Sequence, residues 1–584
     1  MTDGMAERKI IARARAGLAA ALAPGALLGA HLALLLFFLN PKLELATPVV
    51  ARGVAGLAVA VGIGIGLPLA LAMRGNPRRL VAMLPWGLTA ALAVAATSQW
   101  IHAALFAYYL PPGINSRLLK AASGVSLVTL LCFYTALLHG MQRRRYGWRS
   151  RGALALLAIL SLLLTAERRA AFPPPPRPAT ELGLYPRPPR THLAVVALEG
   201  ATLDAILPLA EQGQLPFLAT LLRQGAVGRL GTLSPPLRIA VWESVATGVY
   251  PFRHGVVSDR TLAAPFLYPT ARLDLTPWGT AFGRWSRPLG VRPHDRPPSS
   301  SAPALWRILE GAGISTVVVG WPGHAEAGAN ARRWTLAEAF FSAPDLAPDA
   351  PGPYVDAALE LRPSIRSVDP AVFAQLGSPA PEAVKEAMVA DLWRDAVARH
   401  ALEAMASRGP TAIFVGFPGL LATSKASFGG YSAAQFDGDS RSEQLNAAHL
   451  VGGYYAFLDR LVARLWSSLP EPRLLAVVAG HGVREPRRWR RLLSSVSPGV
   501  ALEGRIDGEA DGVFLLLGDG VRSGVDLDRP TLIDVAPTLL YAMGQPVARD
   551  SDGKVLTAAF GTTFLTRNPL TFVPSYAALI PPQE

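Results

Sequence analysis

Five apolar runs within the first 168 residues constrain this chain more than any other feature. From Ala16 to Leu39 it is almost wholly Ala, Leu and other apolar residues, and similar runs follow at Pro48–Met73, Leu80–Trp100, Ala121–His139 and Gly152–Thr165. A helix rises about 1.5 Å per residue, so roughly 20 such residues cross the roughly 30 Å of bilayer hydrocarbon, where each backbone polar group must be satisfied internally. The expectation is an α-helical membrane domain of about five spans covering residues 1–168, with the last run the shortest. Ile101–Leu110 either lengthens the third span or lies at the interface, where Tyr108 and Tyr109 suit the headgroup level.

Arginine sets the orientation. Arg8, Lys9, Arg13 and Arg15 precede the first run, Arg74, Arg78 and Arg79 lie between the second and third, and Arg143, Arg144, Arg145, Arg149 and Arg151 between the fourth and fifth. Positive loops stay cytoplasmic. The N-terminus therefore belongs inside, the loops Asn40–Thr47 and Pro111–Lys120 outside, and everything after Arg168 outside an inner (plasma) membrane. The first run exceeds an ordinary signal-peptide core, and further spans follow it. His31 lies in the first span, where an ionisable group is a functional candidate by default. The alternative is a neutral imidazole bonded to a neighbouring helix. The spans hold too few polar residues for a transport pathway.

The chain carries 56 basic against 42 acidic residues, a net charge of +14. A nucleic-acid binder should cluster such charge with aromatics on one surface or carry a reading motif. Neither is present, and much of the excess sits between apolar runs, so no nucleic-acid partner is expected. The lipid bilayer is the first partner. The single cysteine, Cys132, allows no intramolecular disulfide and no multi-cysteine metal site.

Residues 169–190 hold AFPPPPRPATELGLYPRPP, a stiff spacer, because proline removes amide donors and fixes φ. From 191 to 584, β-rich runs alternate with helical stretches. The strands are expected at His192–Leu198, Ala226–Leu230, Ser315–Gly320, Thr411–Phe417, Leu474–Ala479 and Gly512–Leu517. This alternation implies an α/β domain with a mostly parallel sheet covered by helices on both faces. The proline-rich stretches Pro288–Pro303 and Ser342–Pro363 read as loops or as a cap inserted in that frame around residues 262–410.

The segments LAVVALEGATLDAILPLAEQGQLPFLATLLRQGAVGRL, TLSPPLRIAVWESVATGVYPFRHGV, APALWRILEGAGISTVVVGWP, LLAVVAGHG and IDVAPTLLYAMGQPVARDSDGKVL follow one another along the chain. Together they resemble the type I phosphodiesterase and nucleotide pyrophosphatase branch of the alkaline phosphatase superfamily, over most of residues 190–560. The resemblance implies two metal ions, usually zinc, held by Asp and His around a Ser or Thr nucleophile at a helix N-terminus.

Set on this sequence, those positions are largely degenerate. The first aspartate falls on Glu199. The nucleophile, counted back from Thr247 and Gly248, falls on Arg238, and a guanidinium cannot attack phosphorus. An Asp and His pair falls on Pro418 or Gly419 and near Thr423, the aspartate before His481 falls on Gly480, and the last histidine falls at about Ala510. His192, His254, His294, His324, His400 and His449 do not restore the set, and His254 belongs to a structural His-Gly turn.

If the sheet keeps its shape, Glu199, Arg238 and His481 converge at the carboxyl ends of the strands. Arg238 is then expected to fill the space of the metals and pair with Glu199. Three roles stay open: a structural ion pair; an anion site on Arg238 and His481 for a phosphate or lipid head group; or a rebuilt centre recruiting Glu199, Glu243, Asp204, Asp259 or Asp511 with zinc or manganese. The favoured expectation is a pseudoenzyme without a metal cofactor. It would bind or scaffold in the cell envelope, with envelope proteins or anionic lipid head groups as partners. The alternative is an active metal-dependent phosphodiesterase or phosphotransferase on a lipid-linked or envelope phosphate. Trp242 reads as core, and the basic run Val483–Leu493 as a solvated face.

Overall fold

The computed structural model describes residues 2–72, 76–142, 146–166, 191–258, 261–277, 287–293, 300–323, 328–330, 332–342, 353–377, 380–407, 409–439, 441–486, 502–507 and 510–579. The proline-rich spacer, Arg74, Arg143, Arg144, Arg145, Asp259, His294, His324 and the basic run beyond Pro486 lie outside the described residues. The chain divides into two compact units, Met1–Pro175 with Val257–Pro298, and Pro176–Val256 with Ser299–Glu584.

The helices named below are α1 Thr2–Leu39, α2 Thr47–Ala72, α3 Pro77–Leu105, α4 Pro112–Met141, α5 Trp148–Ala166, α6 Leu203–Glu211, α7 Pro216–Gln224, α8 Arg238–Thr247 and α9 Pro251–His254. The strands are β1 His192–Leu198, β2 Ala226–Leu230, β3 Leu262–Ala263, β4 Arg272–Leu273, β5 Arg292–Pro293, β6 Ser315–Val319, β7 Gly328–Asn330, β8 Arg333–Leu336, β9 Thr411–Phe417, β10 Arg473–Ala479, β11 Gly512–Gly518 and β12 Val525–Asp526.

In the first unit, α1 to α5 are each long and apolar enough to cross a membrane. Helix α1 packs against α2, α3 and α5. A Cβ on Gly29 would lie 2.2 Å from the Leu57 carbonyl oxygen, and one on Gly66 2.7 Å from that of Ala21. Small residues four apart, Gly25 with Gly29 and Gly62 with Gly66, thus let the two backbones touch, which is how helices associate where lipid removes the hydrophobic drive. His31 ties α1 to α5, with Nε2 3.0 Å from Ser161 Oγ and Nδ1 3.3 Å from Thr165 Oγ1. The Ser161 hydroxyl donates to the Ala158 carbonyl (2.7 Å), so it accepts from His31, and Nε2 is assigned the proton. Gln99 of α3 joins by donating to Thr165 Oγ1 at 3.3 Å.

Helix α3 continues through Ile101 to Leu105, so the first half of the stretch Ile101–Leu110 lengthens the third span and the rest is a turn. One detail differs from the sequence reading. Pro111–Lys120, expected as an outer loop, is mostly the opening of α4. Proline stands at its first helical position, where the missing amide hydrogen has no helical partner to lose.

Residues 257–298 group with the helices and not with the sheet, although the sequence suggested a cap spanning 262–410. Here β3, β4 and β5 form a small antiparallel sheet. Its Leu267, Leu273 and Val291 bury against Leu36, Phe37, Val49 and Leu57. Asn40, just after α1, fixes the contact. Its Nδ2 donates to the carbonyls of Leu36 (2.9 Å) and Leu275 (2.8 Å), and its Oδ1 accepts from the amides of Asp274 (2.7 Å) and Leu275 (3.1 Å).

The second unit is built on one sheet in the order β12-β2-β11-β10-β1-β9-β6-β8-β7. Strands β10, β1, β9, β6 and β8 form a parallel block, and β11 runs antiparallel to both its neighbours. Both β1 and β9 are buried at every residue, which explains why all but the first residue of each is apolar or glycine. Alternate side chains serve opposite faces. Ile413, Val415 and Phe417 pack with the long helices Glu382–Ala406 and Ser442–Ser468, whereas Phe414 meets Trp306 and Trp321 on the other face.

Replacing Asn40 by alanine leaves the amides of Asp274 and Leu275 without that acceptor, at about 1–3 kcal/mol for each buried group left unpaired. Faster proteolytic cleavage within 257–293 is expected for this variant in detergent. Cleavage at the wild-type rate would show that the apolar contacts alone hold the segment.

Candidate functional site

The carboxyl ends of β1, β9 and β10 carry the site. The β1 ladder ends as the Glu199 amide donates to the Phe417 carbonyl (3.3 Å). Gly200 then turns the chain at φ 80°, a conformation that disfavours side chains, with Leu421 close against it. Glu199 is left buried at the strand end.

Arg238, the first residue of α8, reaches this carboxylate. Its Nε donates to Glu199 Oε1 (2.9 Å) and its Nη2 to Oε2 (2.8 Å). Trp242, one turn along the same helix face, donates its Nε1–H to Glu199 Oε1 at 2.6 Å. The other edge of the guanidinium meets a residue the sequence gave no reason to choose. Nη1 donates to Glu338 Oε2 (2.9 Å) and Nη2 to Oε1 (2.5 Å). Glu338 opens the short helix Glu338–Ser342 after β8. Arg238 is thus forked between two carboxylates, one buried and one about a quarter exposed. Burial pushes the Glu199 carboxyl up, while Arg238 pulls it back. Burial also opposes the Arg238 charge, but Glu199 and Glu338 outweigh it and raise its pKa.

The remaining positions do not form a metal centre. A Cβ on Gly480 would lie 2.4 Å from Val241 Cγ1, so α8 closes the space an aspartate would need. One on Gly419 would lie 1.7 Å from the Tyr454 hydroxyl and 2.8 Å from Asp391 Oδ2. The Thr423 hydroxyl donates to the Gly419 carbonyl (3.0 Å). Ala510 is buried, and its carbonyl accepts from the Gly482 amide (3.0 Å). His481 is buried too, with Nδ1 3.3 Å from the Gly482 carbonyl. Burial, with help from Lys425 and Arg238, lowers its pKa to about 4, so near neutral pH it carries no charge for an anion. Among the described residues, no three His, Cys, Asp or Glu side chains stand close enough to hold a metal ion. The donor set does not fit a pair of zinc ions.

A second buried pair lies near Glu199. Asp391 accepts from the Tyr454 hydroxyl (2.9 Å) and the Gly419 amide (3.3 Å), with Arg394 Nη1 at 3.4 Å. Burial pushes its carboxyl up to about 7 against the pull of Arg394, Tyr454 and Gly419, and Glu199 adds to the rise. Arg394 also stacks on Phe341, 4.8 Å from the ring centre. One signal for this pair existed: Asp391 falls in the apolar stripe Met388, Ala398, Leu402 of a helix, where a charge needs a buried partner.

The other recruits stand apart. Asp204 pairs with Arg229 (2.8 Å) toward solvent. Glu243 is buried on α8. His254 closes its turn, with Nδ1 accepting from the Val256 amide (3.2 Å) and Nε2 2.9 Å from Ser244 Oγ.

The model of the type I phosphodiesterase / nucleotide pyrophosphatase family matches residues 193–492, just over half the chain. No curated protein matches the sequence. Among solved structures, the phosphonate monoester hydrolase SpPMH from Silicibacter pomeroyi is 15% identical with a TM-score of 0.37, over 64% of this chain and 78% of its own. Human ectonucleotide pyrophosphatase / phosphodiesterase 5 is 11% identical with a TM-score of 0.36, over 62% of this chain and 97% of its own. Set beside the order of its strands, the match of the family model decides the matter, and the chain belongs to the type I phosphodiesterase / nucleotide pyrophosphatase family.

Proposed function

We propose that this protein is a membrane-anchored pseudoenzyme of its family, one that binds or scaffolds in the cell envelope and does not hydrolyse phosphodiesters. The fork of Arg238 between Glu199 and Glu338 carries this reading. A phosphoryl-transfer centre needs a nucleophile and cations free to meet a substrate. Here a guanidinium stands at the nucleophile's position, and its charge is already matched by two carboxylates. The fork also speaks against Arg238 as an anion site, since an incoming phosphate has to displace Glu338. With the N-terminus cytoplasmic, as the arginine distribution favours, the domain faces outward from the plasma membrane. Envelope proteins or anionic lipid head groups are then its partners.

Elemental analysis of the full chain in detergent, after dialysis against trace zinc and manganese, should find no stoichiometric metal, and a model phosphodiester should not turn over. About two metal ions per chain, a number set by the two-metal mechanism, together with turnover lost in Glu199→Ala, would overturn the proposal.

The ion pair itself makes a further prediction. Arg238→Met strands a buried carboxylate, and breaking such a pair destabilises by about 3–5 kcal/mol. The thermal midpoint of the full chain, followed by tryptophan fluorescence, should fall clearly and should largely recover in the double variant Arg238→Met, Glu199→Gln. An equal fall in both would mean that packing, not charge, dominates here.

Asp391 governs a pH dependence. Its folded pKa, about 7, lies above the ordinary 3.8, so the folded chain binds more protons between those values and its stability falls as pH rises through that window. Asp391→Asn should flatten the midpoint between about pH 4 and 7. A wild-type profile retained in this variant would place the titration on another group.

A further inference from the structure

We infer that residues 262–277 and 287–293 form an interfacial wedge, seated in the leaflet at the α1–α2 turn and reading anionic lipid head groups there. The helix it touches gives the depth. Arg52 is exposed on α2, and the next charge along the sequence is Arg74. The uncharged stretch Gly53–Met73 between them has 21 residues. Its helical part, Gly53–Ala72, measures about 30 Å at about 1.5 Å per residue, the thickness of the hydrocarbon layer. Arg52 therefore marks one boundary of that layer.

The segment crosses this boundary. Leu267 Cδ2 lies 2.9 Å from where a Gly53 side chain would start, and Phe266 Cδ2 and Leu289 Cδ2 lie 3.5 and 3.9 Å from that point on Gly56. Gly56 stands one helical turn inside Arg52, about 6 Å deeper. Pro265 beside them is exposed. Apolar side chains of the segment thus reach hydrocarbon depth while staying packed on α2.

Its charges stay at the other level. Arg272 and Arg292 are both register partners of Ala263, so they share one face of the small sheet, two strands apart. Both are exposed, as is Arg287, and none of the three has an ion-pair partner among the described residues. The neighbouring residue Leu273 is buried on the opposite, bundle-facing side. In 40–54 and the described parts of 261–293, Lys42, Arg52, Arg272, Arg287 and Arg292 stand against Glu44 and Asp274. Asp274 is already influenced by Lys42 and Arg272. An apolar edge below and exposed arginines above suit a leaflet of anionic lipid.

The test uses the full chain in lipid nanodiscs, in a Cys132→Ala background, with single cysteines carrying an environment-sensitive fluorophore. A label at Pro265→Cys should be quenched by lipids brominated high on their acyl chains. One at Leu67→Cys, exposed along α2, reports that the spans are inserted. Quenching at 67 without quenching at 265 overturns the wedge. Electron spin resonance with spin-labelled phosphatidylglycerol and phosphatidylcholine reads the second part. A severalfold preference for phosphatidylglycerol is expected, reduced in Arg287→Gln with Arg292→Gln. Equal association of the two lipids with the wild type overturns head-group recognition and leaves the wedge to the quenching result.

Discussion

A carboxylate shut away from water at a strand end has to meet positive charge or give up its own. Glu199 meets it in Arg238, and the surrounding structure is arranged to keep the two together. The arginine is the first residue of α8, so its place is set by where that helix starts. Trp242, four residues on, adds a donor from the same helix face. Glu338 closes the outer side of the guanidinium and brings the segment after β8 to the ends of β1 and β9. Each group alone would be expensive to bury, and together they lock three separate stretches of chain.

The vanished ligand positions fit the same account. The resemblance implies carboxylates at Gly480 and at Pro418 or Gly419, and the structure leaves no hole at either glycine. Val241 of α8 packs over the first, and the Tyr454 hydroxyl fills the second while donating to Asp391. A side chain placed at either glycine would collide with groups that fill the space around it.

Much of this was legible in the sequence. Strands buried on both faces announce themselves as largely apolar runs, and β1 and β9 lie where those runs predicted. The expected pairing of Arg238 with Glu199 forms. Glu338 stayed hidden, because nothing local distinguishes it from any other acid at a helix start, and it lies 100 residues from Arg238 in sequence. The strands of the β7–β8 hairpin, three and four residues long, are too short to show alternation. The helix Gly419–Phe436 was masked by its glycines and hydroxyls, whose helix propensity is poor until tertiary packing supplies the stability.

The segment after Val256 shows most clearly where local reasoning stops. Its short strands and prolines suit a cap on the α/β sheet, and no periodicity within it points elsewhere. What assigns it to the helices is Asn40, 235 residues away, whose amide satisfies two backbone donors and a carbonyl of that segment. His31 does the same inside the bundle, joining α1 to Ser161 across 130 residues. Apolar patterning specifies that an element be buried, and many arrangements bury it equally well. A polar group buried beside it tolerates few partners and one geometry. In this chain the apolar code selects the elements, and Asn40, His31 and Glu199 select which of them meet.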